Sequence, residues 1–117
     1  MNPDRGDVLL AIARAEISRV LAHRYHVDTD SPWLAEQGAC FVTLTRHGEL
    51  RGCIGTLEAH RPLLHDVKAN AVAAAFRDPR FPPLTSDELP HIAVEVSLLT
   101  PPEPMEFRDE QHALAHL

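Results

Sequence analysis

The stretch Cys40-Phe-Val-Thr-Leu-Thr-Arg-His-Gly-Glu-Leu-Arg-Gly-Cys-Ile-Gly-Thr56 decides how this chain folds. Its first half, Cys40 to Thr45, is rich in β-branched and aromatic residues, the composition that suits a pleated, half-buried strand. His47-Gly48 then offers a two-residue turn, because glycine supplies the positive φ that a tight hairpin needs. Leu50 to Thr56 reads as the returning strand. With His47 and Gly48 at the turn, simple pairing places Arg46 opposite Glu49, Leu44 opposite Arg51, Val42 opposite Cys53 and Cys40 opposite Gly55. Residues 40, 42, 44, 51 and 53 then share one face by the two-residue period of a strand. Cys40 and Cys53 become diagonal neighbours roughly 7–8 Å apart. That is too far for an unstrained disulfide and close enough for two thiols to share a pocket.

Outward from the hairpin, the pattern changes to a helical one on both sides. Asn2-Pro3 is a good helix entry. Leu10, Ala13, Ile17, Val20 and Leu21 follow at helical spacing, predicting an amphipathic helix to about Arg24, with Ser31-Pro32 barring continuation. Downstream, Pro62 opens a second helix whose stripe is Leu64, Val67, Ala71, Ala74 and Ala75, ended by Asp78-Pro79. Its many alanines combine high helix propensity with a thin profile that permits close packing on a sheet. Thr85-Ser-Asp-Glu88 is a capping box for a short turn before Pro90. Ile92, Val94, Val96 and Leu98 alternate with Ala93, Glu95 and Ser97 as a strand, stopped by Pro101-Pro102. Asp109 to Leu117 reads as the start of another helix.

The 117 residues suit one domain, with 44% hydrophobic and 24% charged residues and only 5% aromatic ones, so the core rests on Ala, Val, Leu and Ile. Net charge is −6, from 17 acidic and 11 basic residues, and no basic stripe of the kind that binds nucleic acid is present. No segment approaches the roughly 20 apolar residues of a membrane helix. Neither does the N-terminus carry the apolar core of a signal peptide. Two cysteines without disulfide-scaffold density suggest free thiols and a reducing cytoplasm.

Within the hairpin, Gly52 and Gly55 flank Cys53 where branched residues would be preferred. Glycine inside a strand marks a bulge or a place where something approaches the backbone closely. Arg51 beside the thiol would favour a thiolate, so Cys53 is the candidate catalytic residue, with His47, His60 and His65 as candidate bases. Equally, free cysteine is among the most buried residue types, and Cys53 can be packing. In the second unusual segment, Asp78-Pro-Arg-Phe-Pro-Pro83, Asp78 and Arg80 can pair or bind an anionic group, while Phe81 is read as a core plug. Glu95, in mid-strand, reads as solvent-facing. The spacings His112/His116, His23/His26 and His60/His65 do not assemble a full ligand set, so no metal site is expected.

The run Leu50-Arg-Gly-Cys-Ile-Gly-Thr56, preceded by Phe41-Val-Thr-Leu44, resembles the signature of the AMMECR family, whose bacterial and archaeal members are known as protein A of the AmmeMemoRadiSam system. The likeness continues through Asp78-Pro-Arg-Phe81, Glu88-Leu-Pro90 and Glu95-Val-Ser-Leu-Leu-Thr100. It implies an α+β fold, an antiparallel sheet flanked by helices, with residues 1–117 forming one such domain that lacks the family's C-terminal part. An uncovered sheet edge would then invite self-association. The resemblance marks Arg51, Gly52, Cys53, Gly55 and Thr56 as functional, while Asp78 and Arg80 are binding candidates from the reading of their own segment. It implies a Memo-like protein and a radical SAM enzyme as partners, names no cofactor and assigns no reaction. Two functions therefore stay open: a binding or adaptor module working through the hairpin, and a cysteine-dependent enzyme or enzyme component using Cys53.

Overall fold

A computed structural model describes residues 5–23, 27 and 29–99, together with the backbone of residues 105–108. The expected helix entry at Asn2-Pro3, the helix start after Asp109 and the His112/His116 pair lie outside these residues. The elements run α1 (Arg5–Val20), β1 (Cys40–Arg46), β2 (Glu49–Gly55), α2 (Leu63–Phe76), β3 (Ile92–Leu98) and β4 (Met105–Arg108), with single 3-10 turns at Pro32–Ala35 and Leu89–His91. The four strands form one antiparallel sheet in the order β2-β1-β3-β4. The fold is α+β, as the sequence implies. Strand β4 was not foreseen.

One face of the sheet is the core. Cys40, Val42 and Leu44 of β1 and Ile92, Val94, Val96 and Leu98 of β3 are all buried, the strict alternation a half-covered strand requires. Helix α1 lays Leu9, Ile12, Ala13 and Ile17 on the β3 side, and α2 lays Val67, Ala71, Ala74 and Ala75 on the hairpin side. The expected extension of α1 to Arg24 is cut short at Val20. The chain leaves it through Ala22, whose φ is +69°, with Ala22 N donating to Arg19 O (3.0 Å) and His23 N to Ser18 O (2.8 Å). This is a Schellman closure, normally made by glycine. An alanine at that position gives no local signal, which is why the periodicity overran the end.

The hairpin turn is as expected. His47 (φ +53°) and Gly48 (φ +82°) are its two central residues, the doubly left-handed turn that matches the twist of the strands. Beyond it the simple register fails. Arg46 pairs with Glu49 and Thr45 with Leu50, and then a bulge intervenes, so that Leu44 faces Gly52, Thr43 faces Cys53, Val42 faces Ile54 and Phe41 faces Gly55. Arg51 is the extra residue. Every side chain past it changes face relative to the unbulged register. Cys53 therefore lies with Thr43 on the face away from the helices, whereas Cys40 is in the core beneath them. The two thiols do not share a pocket.

The glycines are explained by the same step. A Cβ on Gly52 would sit 2.0 Å from the carbonyl oxygen of Ala74, so α2 rests directly on the strand backbone there. A Cβ on Gly55 would fall 2.1 Å from the ring of Phe41, which lies across that strand position. In both places the close approach comes from within the fold. Gly48, by contrast, has open space around its Cβ direction and is constrained by φ alone. Replacing Gly48 by Ala should cost about 1–2 kcal/mol for the left-handed backbone. Gly52→Ala should cost more, about 3 kcal/mol, at the top of the overpacking range because the obstacle is main chain. Urea midpoints of the two variants check the order.

Candidate functional site

Three elements meet at the bulge: β2, the C-terminal end of α2 and the 78–88 segment that leads into β3. Arg51, freed from strand pairing, is folded inward and only 8% exposed. Its Nε donates to Glu88 Oε2 (2.8 Å) and its Nη2 to Glu88 Oε1 (3.0 Å), a side-on pair. Arg46 adds Nη1 to Glu88 Oε2 at 3.1 Å. Glu88 also closes the expected capping box, accepting from Thr85 N at 3.2 Å and from Thr85 Oγ1 at 3.3 Å. Chiefly through Arg51, and against the cost of burial, its carboxyl is held down at about 2. The sequence marked Glu88 only as a cap. Its additional role follows from the bulge that turns Arg51 toward it.

Asp78 and Arg80 do come together with the hairpin. Asp78, 4% exposed, accepts the backbone N–H of Cys53 through Oδ2 (3.1 Å). It also takes Arg80 Nη2 (2.7 Å) on Oδ2, and Arg80 Nε (3.0 Å) and Arg80 N (3.0 Å) on Oδ1. The side chain of Arg80 is the main reason its carboxyl lies well below the usual carboxylate range; burial opposes this, and the Arg80 and Cys53 amides assist. Phe81 is half-buried rather than a core plug. Its ring centroid lies 5.9 Å from Cζ of Arg51 and 5.5 Å from Cζ of Arg80, so two guanidiniums flank one aromatic ring.

The Cys53 thiol is half-buried, with Thr43 Oγ1 at 3.2 Å as its hydrogen-bond partner among the described residues. None of the three candidate bases is such a partner: His60 and His65 are exposed, and His47 packs its ring on His91 (centroids 5.4 Å apart). Asp78, which accepts the Cys53 N–H, is a poor proton acceptor because it is already paired with Arg80 and held ionised. Thr43 lies opposite both Cys53 and Glu95, and Glu95 opposite Arg108, so residues 53, 43, 95 and 108 occupy one row across the sheet. Glu95 is half-buried in that row rather than fully solvent-facing. Among the described residues, no cluster of three or more His, Cys, Asp or Glu side chains could hold a metal ion.

Thr56 stands apart from this group. Its hydroxyl donates to Asp66 Oδ1 (2.7 Å), in a buried polar knot that also receives Arg61 Nε on Oδ1 (2.8 Å) and Cys40 N on Oδ2 (2.9 Å). Asn70 completes it, with Nδ2 at 2.8 Å from Cys40 O and 3.2 Å from Asp66 Oδ2. Burial, with Asp66 beside it, pushes the Cys40 thiol up to about 12, which leaves it inert. Asp66 and Asn70 were not singled out by sequence reading. A signal existed: with Leu63, Val67, Ala71 and Ala74 they fall at the spacing of the core-facing stripe, where a polar side chain must find partners.

The architecture is thus an α+β domain whose β-hairpin is clamped by ion pairs to a Pro-rich segment after α2. The chain belongs to the AMMECR1 family, whose model matches residues 10–116. Similar curated proteins include one from Methanothermobacter thermautotrophicus, 44% identical over 109 residues, covering 91% of this chain and 57% of the relative. Another, from Sulfolobus acidocaldarius, is 44% identical over 115 residues, covering 93% of this chain and 51% of the relative. The crystal structure of the uncharacterised protein PH0010 from Pyrococcus horikoshii superposes with a TM-score of 0.70 at 38% identity, over 84% of this chain and 52% of that one. The chain therefore spans about half the length of the relatives it matches.

Two outcomes test these geometries. Glu88 goes from an ordinary value of 4.5 to about 2 on folding, and Asp78 is lowered in the same direction. A depressed carboxyl contributes stability that is present above its unfolded value and is lost as pH falls through its folded value. The urea midpoint should therefore drop between pH 4.5 and about 2, and the drop should be shallower in Glu88→Gln. Asp66→Ala should cost about 3 kcal/mol, the lower end for breaking a buried ion pair, because Arg61 can turn toward water while the Cys40 amide cannot. Equilibrium unfolding of that variant against Asp66→Asn measures it.

Proposed function

We propose that this domain is a binding or adaptor module that acts through the Glu49–Thr56 hairpin and the adjoining Asp78–Glu88 segment, in association with a Memo-like protein and a radical SAM enzyme. The observation that carries this reading is the cluster of Arg51, Arg80, Asp78 and Glu88 around Phe81. Buried Arg51 and Asp78 fix their ion-pair partners beside the hairpin, and Arg80 and the prolines around it are exposed to a partner. Arginine and aromatic side chains are also those most often found at the energetic centre of interfaces. A reducing cytoplasm is the proposed setting, in which both thiols, Cys40 and Cys53, stay free.

The cysteine-dependent reading is favoured by one feature, the row of Cys53, Thr43 and Glu95 on the sheet face away from the helices. A thiol beside a hydroxyl, with a carboxylate next in line, could pass a proton along the row.

Association of the purified domain with a Memo-like protein and a radical SAM enzyme, followed by sedimentation, decides between them. In the adaptor reading, Cys53→Ala binds like the parent, and Arg80→Ala or Phe81→Ala weakens binding by tenfold or more. Binding by neither protein at tens of micromolar removes the adaptor reading. Loss of binding or of coupled turnover in Cys53→Ala and Glu95→Gln, with Arg80→Ala unaffected, would instead select the cysteine.

A further inference from the structure

The ion-pair cluster at the bulge is not balanced. Glu88 brings one carboxylate and receives two guanidiniums, those of Arg51 and Arg46. The Asp78–Arg80 pair beside it is neutral in itself. A positive charge is therefore left over within the hydrogen-bonded group. Of the two arginines, Arg46 has a side chain 45% exposed, whereas that of Arg51 is only 10% exposed.

The buried arginine of the group also carries an unsatisfied donor. Arg51 uses the Nε–Nη2 edge of its guanidinium on Glu88, which turns Nη1 to the opposite side. Nη1 is shielded from solvent and has no hydrogen-bond partner; it is the one such buried side-chain nitrogen or oxygen among the described residues. Native proteins leave few buried polar atoms unpaired, and a charged donor without an acceptor is among the costliest. What lies close is the ring of Phe81, whose face offers weak electrostatic compensation only. Phe81 belongs to the Asp78–Pro83 segment, in which Pro79, Arg80, Pro82 and Pro83 are exposed. The half-buried ring of Phe81 thus stands 5.9 Å from the buried guanidinium of Arg51 and 5.5 Å from the exposed one of Arg80.

We infer that Arg51 Nη1 is the donor of a subsite for one anionic oxygen, carboxylate or phosphate, of a ligand that seats at the Phe81 ring between Arg51 and Arg80. An anion accepts from the orphaned N–H, and the net positive charge of the arginine group around it favours an anion over a neutral acceptor. The ligand thus supplies what the fold withholds. This deepens the reading of the hairpin as a binding surface and rests on it.

The test uses the whole chain, labelled with nitrogen-15 and titrated separately with inorganic phosphate and with acetate, ionic strength being held constant with sodium chloride. The Arg51 Nε–H and Cys53 amide signals are followed. A saturable shift with at least one anion is expected, and the tighter of the two arms names the source. Arg51→Lys keeps the charge and removes Nη1, and should weaken that binding at least tenfold. Arg80→Gln, at an exposed side chain, should weaken it about threefold, and this second variant decides the matter even where Arg51→Lys fails to fold. Shifts no larger than those with chloride, or affinity unchanged in Arg80→Gln or in folded Arg51→Lys, would overturn the subsite. Such a result leaves the adaptor reading to the sedimentation assay, whose outcome does not depend on either anion.

Discussion

Between Leu50 and Gly52 the second strand of the hairpin carries one residue more than the strand it pairs with, and most of the site follows from that excess. A bulge inserts a residue without a cross-strand partner and bends the strand that bears it. Here the unpaired residue is Arg51, whose side chain turns inward to Glu88. The next residue, Gly52, is brought against the carbonyl of Ala74, where only the absence of a Cβ lets helix and strand meet. Cys53 then falls on the far face beside Thr43, and its N–H is left to Asp78. One inserted residue thus assigns four side-chain or backbone groups to their partners.

The consequence for chemistry is a division of labour between the two faces of the sheet. The helix side gathers charge: Arg51, Arg46 and Glu88 at one end, and Asp66 with Arg61 and Asn70 at the other. The far side carries Cys53, Thr43 and Glu95 in one row. A thiol flanked by a hydroxyl differs from a thiol held by an imidazole, because a hydroxyl is not a base near neutral pH. The binding reading draws its strength from the first face and the cysteine reading from the second.

Much of the fold was legible in the sequence. The hairpin turn at His47-Gly48, the alternation of Ile92, Val94, Val96 and Leu98, and the alanine-rich helix against the hairpin are all where periodicity put them. Those features depend on local patterns of period two or 3.6, which a sequence displays directly. The bulge was not legible, although the glycines were noticed as a sign of one. A period-two count has no way to add a residue, so the facing of Cys53 came out inverted. The ion pairing of Glu88 and the whole role of Asp66 were missed for a related reason. Their partners lie 37 and 26 residues away along the chain, at Arg51 and at the Cys40 amide, and nothing local records such distances. The pairing of Asp78 with Arg80, two residues apart, was within reach and was named.

The buried knot at Asp66 has a further bearing on how this fold tolerates variation in length. Thr56 and Arg61 both donate to the same oxygen, Asp66 Oδ1, so the chain between them leaves and returns at one point. The residues in between are solvent-facing, with Leu57 82% exposed. Closing a flexible loop costs only about 0.6 kcal/mol more for each doubling of its length, provided its ends stay fixed. Residues 57–60 are therefore where extra chain can be accommodated at least expense to the sheet, the helices or the arginine cluster. Asp66 marks the boundary between the part of the molecule that must keep its length and the part that is free to vary.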